Sequence, residues 1–322
     1  MLSEFELIKR YFLRSNHALS RAALGIGDDC ALLNHIDGMQ TAISTDMLVE
    51  GRHFFAGSDP YQLGHKSLAV NLSDLAAMGA QPQAFTLAFS LPAAEENWLA
   101  EFSKGLFALA DLHECELIGG DTTKGPLNIC ITVFGQTPTG QALRRSTAKA
   151  GDDIWVSGTL GDARLALDAL NKKIVLDDDQ LTCAASRLHM PQPRVALGLA
   201  LRGVAHAALD VSDGLIGDLG HILQGSKVGA TLYIDRLPLG PILQQQTKDV
   251  QRRLALSGGD DYELCFTASS NRREEVLGAA LAANTQVTRI GSIETQSGLR
   301  LIDQDDAPYT FDSHSFDHFT NT

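Results

Sequence analysis

The sequence predicts a two-domain protein of the mixed α/β class, and three observations support this prediction. Its 322 residues exceed the roughly 100–200 residues that are typical of one domain. Helical and strand-like segments alternate along both halves, which favours α/β layers over an all-β sandwich. A stretch rich in glycine, proline and threonine at 135–141 separates the halves. We therefore place one domain at 1–140 and the other at 150–322.

Apolar periodicity and turn residues predict the elements of the N-terminal half. Helices are expected at 3–15, 61–79 and 95–113. A glycine turn at 25–33 is expected to run into a short strand, and further strands are expected at 41–46, 84–91, 115–121 and 127–135.

The helix at 61–79 has two distinct stripes. Its apolar stripe contains Leu68, Leu72 and Leu75. Three polar residues with the same helical spacing form a stripe next to it: Ser67, Asn71 and Asp74. The helix is therefore predicted to present polar groups beside its core face.

The C-terminal half repeats the alternation of strands and helices. A strand, a glycine turn and a helix start are predicted at 153–163, followed by a proline-punctuated helix at 191–204. A strand leading into a helix is expected at 207–223, and the segment L-A-L-S-G-G-D-D-Y-E-L-C-F-T follows at 254–267. This order predicts a second α/β domain.

Composition excludes several classes of partner. The formal net charge is −13, so nucleic acid and anionic membrane surfaces are not expected to be partners. No apolar run approaches the roughly 18–20 residues that span a bilayer, and the N-terminal segment does not resemble a signal peptide, so we expect a cytoplasmic protein. Of the 39 acidic residues, 27 are Asp. Because Asp favours turns and strand ends, where its short stem can hold a metal rigidly, this bias suits a cation-binding protein.

Aspartates recur where the predicted strands end. Asp46, Asp121 and Asp210 each close an apolar strand, while Asp29 lies on a glycine turn and Asp213 at the start of a helix. Ligands in open α/β folds collect outside the carboxyl ends of strands, so these side chains are expected to converge. Converging carboxylates repel one another unless cations lie between them, and Mg²⁺ commonly bridges carboxylates to nucleotide phosphates. The pattern predicts a metal–nucleotide site, where the helix N–H groups near Asp213 are also available to a phosphate.

Other interpretations of the same acids remain open. A single Asp-Gly or Gly-Asp pair is often only a turn or a helix cap. Neither standard nucleotide motif is present, since segment 57–67 fails the P-loop spacing and no G-x-G-x-x-G follows a strand. The acidic run at 177–179 is predicted to be a solvated loop rather than a metal site.

Seven specific segments follow one another along the chain: G-I-G-D-D-C-A-L-L, S-T-D-M-L-V-E-G-R-H-F, H-K-S-L-A-V-N-L-S-D-L-A-A-M-G-A, L-I-G-G-D-T-T, D-V-S-D-G-L-I-G-D-L-G-H-I, L-S-G-G-D-D-Y-E-L-C-F and the terminal F-D-H-F. In this order they resemble the thiamine-monophosphate kinases of the aminoimidazole-ribonucleotide-synthetase superfamily. The resemblance implies a two-domain synthetase-like fold and a homodimer paired through the N-terminal domains. It also implies direct transfer of the γ-phosphoryl group of ATP, the co-substrate, to thiamine monophosphate, with several Mg²⁺ ions as cofactors.

The resemblance also assigns roles to individual residues. The implied metal ligands are Asp29, Ser44, Thr45, Asp46, Asp74, Asp121, Asp210 and Asp213, of which Asp46, Asp121 and Asp213 are the catalytic candidates. The implied ATP contacts are Gly120, Asp121, Arg145 and Ser212. The implied thiamine monophosphate contacts are His53, Asp260, Ser313 and Phe316.

Two of these positions depart from the family pattern. Asp260 replaces the usual Glu and is one methylene shorter, while Ser313 takes the place of an expected aromatic and leaves Phe316 as the nearest ring.

Three alternative functions are weighed against this one. Another ATP-using synthetase of the same superfamily would share the acidic residues, although the segment at 44–54 and the terminal F-D-H-F favour the kinase. A two-metal phosphohydrolase would more often have histidine ligands, and most of the ten histidines lie outside the acidic motifs. A non-catalytic cation-binding protein is the third alternative, but EF-hand spacing is absent from the sequence.

Overall fold

The computed structural model describes residues 4–14, 22–26, 30–34 and 36–311. The chain divides into two compact units. The first unit comprises Met1–Leu75 and Ala80–Gly140, and the second comprises Ala76–Gly79 and Gln141–Thr322. Within the described ranges, no helix is long and apolar enough to cross a membrane.

The first unit contains a four-stranded sheet and two long helices. Its helices are α1 (Glu4–Leu7), which continues as a π-helical turn over Ile8–Phe12, α2 (Pro60–Ala77) and α3 (Glu96–Leu112). Its strands are β1 (Ala22–Leu24), β2 (Leu32–Leu33), β3 (Met39–Val49), β4 (Gln81–Leu91), β5 (Glu116–Lys124) and β6 (Asn128–Pro138). The sheet has the order β3-β6-β4-β5, in which only β4 and β5 are parallel, while β1 and β2 form a separate antiparallel pair.

Helices α2 and α3 approach each other at two glycines. A Cβ atom at Gly64 would lie 2.1 Å from the carbonyl oxygen of Phe102, and one at Gly105 would lie 1.9 Å from that of Tyr61. Any larger side chain would therefore force the two backbones apart. The predicted apolar stripe of α2 is confirmed, because Leu68, Leu72 and Leu75 are all buried.

The second unit is built on a six-stranded sheet. Its strands are β7 (Asp152–Ser157), β8 (Ala207–Val211), β9 (Gly229–Tyr233), β10 (Glu263–Ser269), β11 (Val287–Glu294) and β12 (Gly298–Ile302). Their order is β12-β9-β11-β7-β10-β8, in which only β12 and β9 are parallel. Its helices are α4 (Asp162–Leu170), α5 (Asp178–His189), α6 (Val195–Ala200), α7 (Leu215–Ser226), α8 (Lys248–Ser257) and α9 (Arg273–Ala282). The predicted mixed α/β class is confirmed.

One local prediction in this unit was wrong, and a second was right only in part. The helix expected at 191–204 is only the six-residue α6, because the prolines at 191 and 193 cannot continue a helix. The run at 177–179 is exposed, as predicted, but only Asp177 lies in the loop, because Asp178 and Asp179 begin α5. The carboxylate of Asp177 accepts the N–H of Gln180 at 2.8 Å, and the Gln180 side chain accepts the N–H of Asp177 at 3.2 Å, so the pair forms a capping box at the start of α5.

Candidate functional site

The polar stripe of α2 lies against strand β3. The side-chain oxygen of Asn71 accepts the backbone N–H of Asp46 at 3.1 Å, and its amide nitrogen donates to the carbonyl of Ser67 at 3.0 Å. The hydroxyl of Ser44 donates to the carboxylate of Asp74. Asn71 is only 1% exposed, so these contacts fix the strand on the helix. The first unit thus brings together three of the predicted metal ligands: Ser44, Asp46 and Asp74.

Thr45 does not join this group. Side chains alternate along a strand, so Thr45 lies on the opposite face of β3 from Ser44 and Asp46. Its hydroxyl is 2.8 Å from the hydroxyl of Thr132 on β6, and both lie on the more open face of the sheet. Any contact of Thr45 with the same ion as Asp46 would therefore have to use its backbone.

The prediction that Asp46 and Asp121 end their strands was wrong. Strand β3 continues past Asp46 and pairs with β6 as far as Val49, and β5 continues past Asp121 and pairs with β4 as far as Lys124. The partner strands satisfy the backbone groups beyond each aspartate, so the extended conformation persists. Only Asp210, the penultimate residue of β8, lies near the end of its strand.

Strand register places Asp46 and Asp121 on opposite faces of the sheet. Asp46 is in register with Ile131, which is buried, whereas Asp121 is in register with Ala88, which is exposed. The two aspartates also lie on the two edge strands, three strand spacings or about 14 Å apart. Within the first unit, the expected convergence of these two side chains is not seen.

Gly120 occupies a backbone position that suits only glycine. Its φ angle is +151°, and a Cβ atom there would lie 1.8 Å from the carbonyl oxygen of Leu87. The backbone of β5 therefore closely approaches β4 immediately before Asp121.

His53 is held by the turn that follows β3. Its backbone N–H donates to the carbonyl of Val49 at 2.9 Å, and its ring Nδ1 accepts the backbone N–H of Val49 at 3.0 Å. Because Nδ1 acts as an acceptor, the proton of the neutral ring resides on Nε2. His53 is therefore oriented as an Nε2–H donor.

In the second unit, the loop from β8 to α7 is bound by a carboxylate that the sequence analysis did not identify. One oxygen of Asp218, Oδ2, accepts the N–H groups of Ser212 and Asp213, each at 3.1 Å, and that of Gly214 at 3.0 Å. Burial first, and then the charge of Asp213, raise the pKa of Asp218 from 3.8 to about 7. Asp218 therefore accepts the three N–H groups that precede α7. The availability of the N–H groups of the helix itself, which begins at Leu215, to a phosphate stays a prediction.

A second loop packs against the first. The N–H of Asp260 donates to the carbonyl of Ser212, and the N–H of Tyr262 to that of Val211, both at 2.8 Å. Asp260 and Tyr262 have positive φ angles of 66° and 51°, which are unusual for residues with a side chain. The structure thus places the backbone of Asp260 directly beside Ser212.

The adjacent Asp261 has a structural role. It is buried, and its two carboxylate oxygens accept the N–H of Gly161 at 2.9 and 3.1 Å. Burial raises its pKa well above the ordinary range. Of the Asp-Asp pair in this loop, only Asp260 is partly exposed.

Glu263 anchors the end of the same loop. Its fully buried carboxylate accepts hydrogen bonds from Arg187 at 2.6 Å, from Arg194 at 2.7 and 2.5 Å, and from the hydroxyl of Ser157 at 2.5 Å. This cluster leaves no local pattern in the sequence, because its two arginines are 69 or more residues away from Glu263 along the chain.

Arg145 lies at the other end of α7 from these loops. Its side chain is exposed, and its carbonyl accepts the hydroxyl of Ser226, the last residue of the helix. The helix separates this backbone position from Ser212 by about 16 Å. The remaining predicted residues lie outside the described ranges: Asp29, Ser313 and Phe316.

Comparison with known proteins identifies the family. The model of the AIR synthase related protein N-terminal domain matches residues 27–137, and that of the C-terminal domain matches residues 149–304. The thiamine-monophosphate kinase of Salmonella typhimurium strain LT2 is 46% identical over 319 residues, covering 98% of each protein. The chain belongs to the thiamine-monophosphate kinase family.

Solved structures of thiamine-monophosphate kinases share this fold. That of Stenotrophomonas maltophilia K279a has a TM-score of 0.83 and 48% identity, covering 87% of this chain and 91% of that one. AaThiL complexed with AMPPCP and TMP has a TM-score of 0.78 and 28% identity, covering 89% of each chain. The predicted resemblance to thiamine-monophosphate kinases and the synthetase-like fold are both confirmed.

The candidate metal ligands of this thiamine-monophosphate kinase family member are of the chemical type that magnesium prefers. The described candidates are carboxylates and hydroxyls, and Mg²⁺ favours oxygen ligands and keeps several waters. Among the described residues, no group of three or more His, Cys, Asp or Glu side chains is arranged to hold a metal on its own. Any ion would therefore need oxygens from hydroxyls, water or phosphate to complete its coordination.

Proposed function

We propose that the chain transfers the γ-phosphoryl group of ATP to the phosphate of thiamine monophosphate, giving thiamine diphosphate and ADP. The observation that carries this proposal is the 46% identity over 98% of both chains to a thiamine-monophosphate kinase. A relative solved as a complex with AMPPCP and TMP, an ATP analogue and the acceptor, supports ATP as the co-substrate here. We further propose that the transfer is direct and in-line, as is usual in phosphoryl transfer.

Several Mg²⁺ ions are proposed as cofactors. The residues proposed to hold them are Asp29, Ser44, Thr45, Asp46, Asp74, Asp121, Asp210 and Asp213. The contacts of Ser44 and Asp46 with α2 support this proposal, because they fix oxygen donors rigidly on one face of β3. When bound, the ions would supply positive charge to the phosphates of both substrates.

The remaining predicted residues are proposed to bind and orient the substrates. Gly120, Arg145 and Ser212 are assigned to ATP, together with Asp121. His53 and Asp260 are assigned to thiamine monophosphate, with Ser313 and Phe316 near the thiamine ring. The orientation of His53 supports its role, because an Nε2–H group can donate to a phosphate oxygen without a change of charge.

A homodimer formed through the N-terminal domain, residues 1–140, is part of the proposal. The open face of β3 supports it, because Ile43 and Met47 are 62% and 52% exposed there. In register with them on β6 lie Phe134 and Cys130. Exposed apolar side chains in contiguous rows are typical of an association surface. We also propose a cytoplasmic location and no nucleic-acid or membrane partner, in keeping with the net charge of −13.

Product analysis tests the proposed function. The protein is mixed with Mg²⁺, ATP and thiamine monophosphate, and the products are separated by chromatography. We expect equal amounts of thiamine diphosphate and ADP, and no turnover without Mg²⁺. ADP formed at the same rate without thiamine monophosphate would indicate a phosphohydrolase, and absence of thiamine diphosphate would refute the kinase assignment.

A further inference from the structure

The loop between β8 and α7 is held on both sides by hydrogen bonds to its backbone. Its three N–H groups, from Ser212 to Gly214, converge on one oxygen of Asp218. On the other side, the carbonyl of Ser212 accepts the N–H of Asp260 at 2.8 Å. The loop backbone is therefore fixed by partners that come from two different elements.

The path of this loop allows little adjustment. Gly214 has a φ angle of +116°, and a Cβ atom there would lie 2.8 Å from the carbonyl carbon and oxygen of Ser257. Three backbone hydrogen bonds share one oxygen of the buried Asp218 side chain. Removing that carboxylate would leave three N–H donors without their acceptor.

We propose that Asp218 is a positioning residue, which holds the Ser212–Gly214 backbone so that Asp213 is oriented to bind Mg²⁺. This inference rests on the proposed function, because it assigns Asp213 to the cation. Asp218 is not itself a ligand in this proposal, since its Oδ2 atom accepts three backbone donors and its side chain is buried. It acts through the loop.

The N–H groups of Ser212, Asp213 and Gly214, just before α7, donate to a carboxyl oxygen and are not open to a phosphate. Cations held by the aspartates would then balance the negative charge that phosphates bring near this loop. The second unit should accordingly bind the nucleotide much more tightly with Mg²⁺ than without it.

Two variants and a matched control test the proposal. Asp218→Ala removes the acceptor, and Asp218→Asn keeps a carbonyl oxygen but loses the charge. Asp152→Ala is the control, because Asp152 is also buried and accepts a backbone N–H, that of Lys149 at 2.9 Å. Asp152 is in register with Ser269 of β10, and Asp210 is in register with Leu264 of the same strand. Five residues of β10 separate these two positions, a distance of about 17 Å.

Hydrogen exchange and Mg²⁺ dependence are measured on the full-length proteins. In Asp218→Ala we expect faster exchange of the Ser212–Gly214 amides. The Mg²⁺ concentration for half-maximal velocity should rise roughly 10–100-fold, as is usual when the support of a metal ligand is lost. Asp218→Asn should show both effects to a smaller extent, and it carries the test if the Ala variant does not fold. The control should lower thermal stability without changing the Mg²⁺ dependence.

A titration of Mg²⁺ with AMP-PCP, followed by calorimetry, gives a readout that does not require turnover. Weaker Mg²⁺ binding in both Asp218 variants, with unchanged binding in Asp152→Ala, would support the positioning role. Unchanged exchange and Mg²⁺ binding in Asp218→Ala would overturn it. If the wild-type protein binds Mg²⁺ with AMP-PCP but forms no thiamine diphosphate, the proposed function fails while the calorimetry still decides the role of Asp218. If it does not bind them, both proposals fail.

Discussion

The buried carboxylate of Glu263 provides a quantitative test of what stabilises the second unit. Glu263 is fully buried, and it is the shared partner of Arg187 and Arg194, whose side chains are 20% and 16% exposed. In Glu263→Gln the shape is kept and the negative charge is lost. The two guanidinium groups then lose the negative charge that they share, while Arg187 keeps the carboxyl groups of Asp162 and Asp261 in its vicinity.

The expected loss follows from the cost of leaving a buried charge unpaired. Breaking a buried ion pair by removing one partner costs about 3–5 kcal/mol. Both arginines retain some contact with solvent, which lowers this cost, so we expect a loss of about 3 kcal/mol in the free energy of unfolding. That is a large share of the roughly 5–15 kcal/mol by which folded proteins are stable.

Urea denaturation measures this loss. The chain has two tryptophans, Trp98 in α3 and Trp155 in β7, so a Trp98→Phe background makes the fluorescence report on the second unit alone. The control is Glu275→Gln, whose exposed pair with Arg272 should contribute no measurable stability. A loss below about 1 kcal/mol in Glu263→Gln would refute the reasoning, since it would mean that the arginines find other compensation.

Three further predictions concern the site. Asp46→Asn and Asp121→Asn should each abolish formation of thiamine diphosphate while thermal unfolding stays near that of the wild type, and near-normal turnover in both would argue against the proposed metal ligands. Asp260→Glu should keep or lower the KM for thiamine monophosphate, because it restores the usual family residue, and a large rise in KM would contradict that assignment. The pKa of Asp218 is raised from 3.8 to about 7 in the folded protein, so its protonated form stabilises the fold. The free energy of unfolding of the metal-free protein should therefore fall as the pH rises through that range. The full effect is roughly 4 kcal/mol, and Asp218→Asn should lack this part of the pH dependence of urea denaturation.

The local pattern of α2 could be predicted because it depends on one helix. The spacing of Ser67, Asn71 and Asp74 indicated a polar stripe beside the core face, and the structure places that stripe against β3. The ends of β3 and β5 could not be predicted, because partner strands far along the chain extend them past Asp46 and Asp121. Strand length here is a property of the whole sheet.

The excess of Asp over Glu has a structural cause besides the predicted cation binding. Several aspartates of the second unit accept backbone N–H groups. Asp162 accepts those of Ile242 and Leu243, Asp218 those of the loop before α7, and Asp261 that of Gly161. A short acidic side chain is suited to both tasks, and only the three-dimensional contacts distinguish them.

The pair of hydrogen bonds from the Asp260 loop to Val211 and Ser212 has a consequence for how the two substrates affect each other. With Ser212 assigned to the nucleotide and Asp260 to thiamine monophosphate, as proposed above, a ligand that shifts Ser212 would also act on the amide of Asp260. Thermodynamic reciprocity then requires that the factor by which a nucleotide changes the affinity for thiamine monophosphate equals the factor by which thiamine monophosphate changes the affinity for the nucleotide. Under that assignment, the two backbone hydrogen bonds would couple the binding of one substrate to the binding of the other.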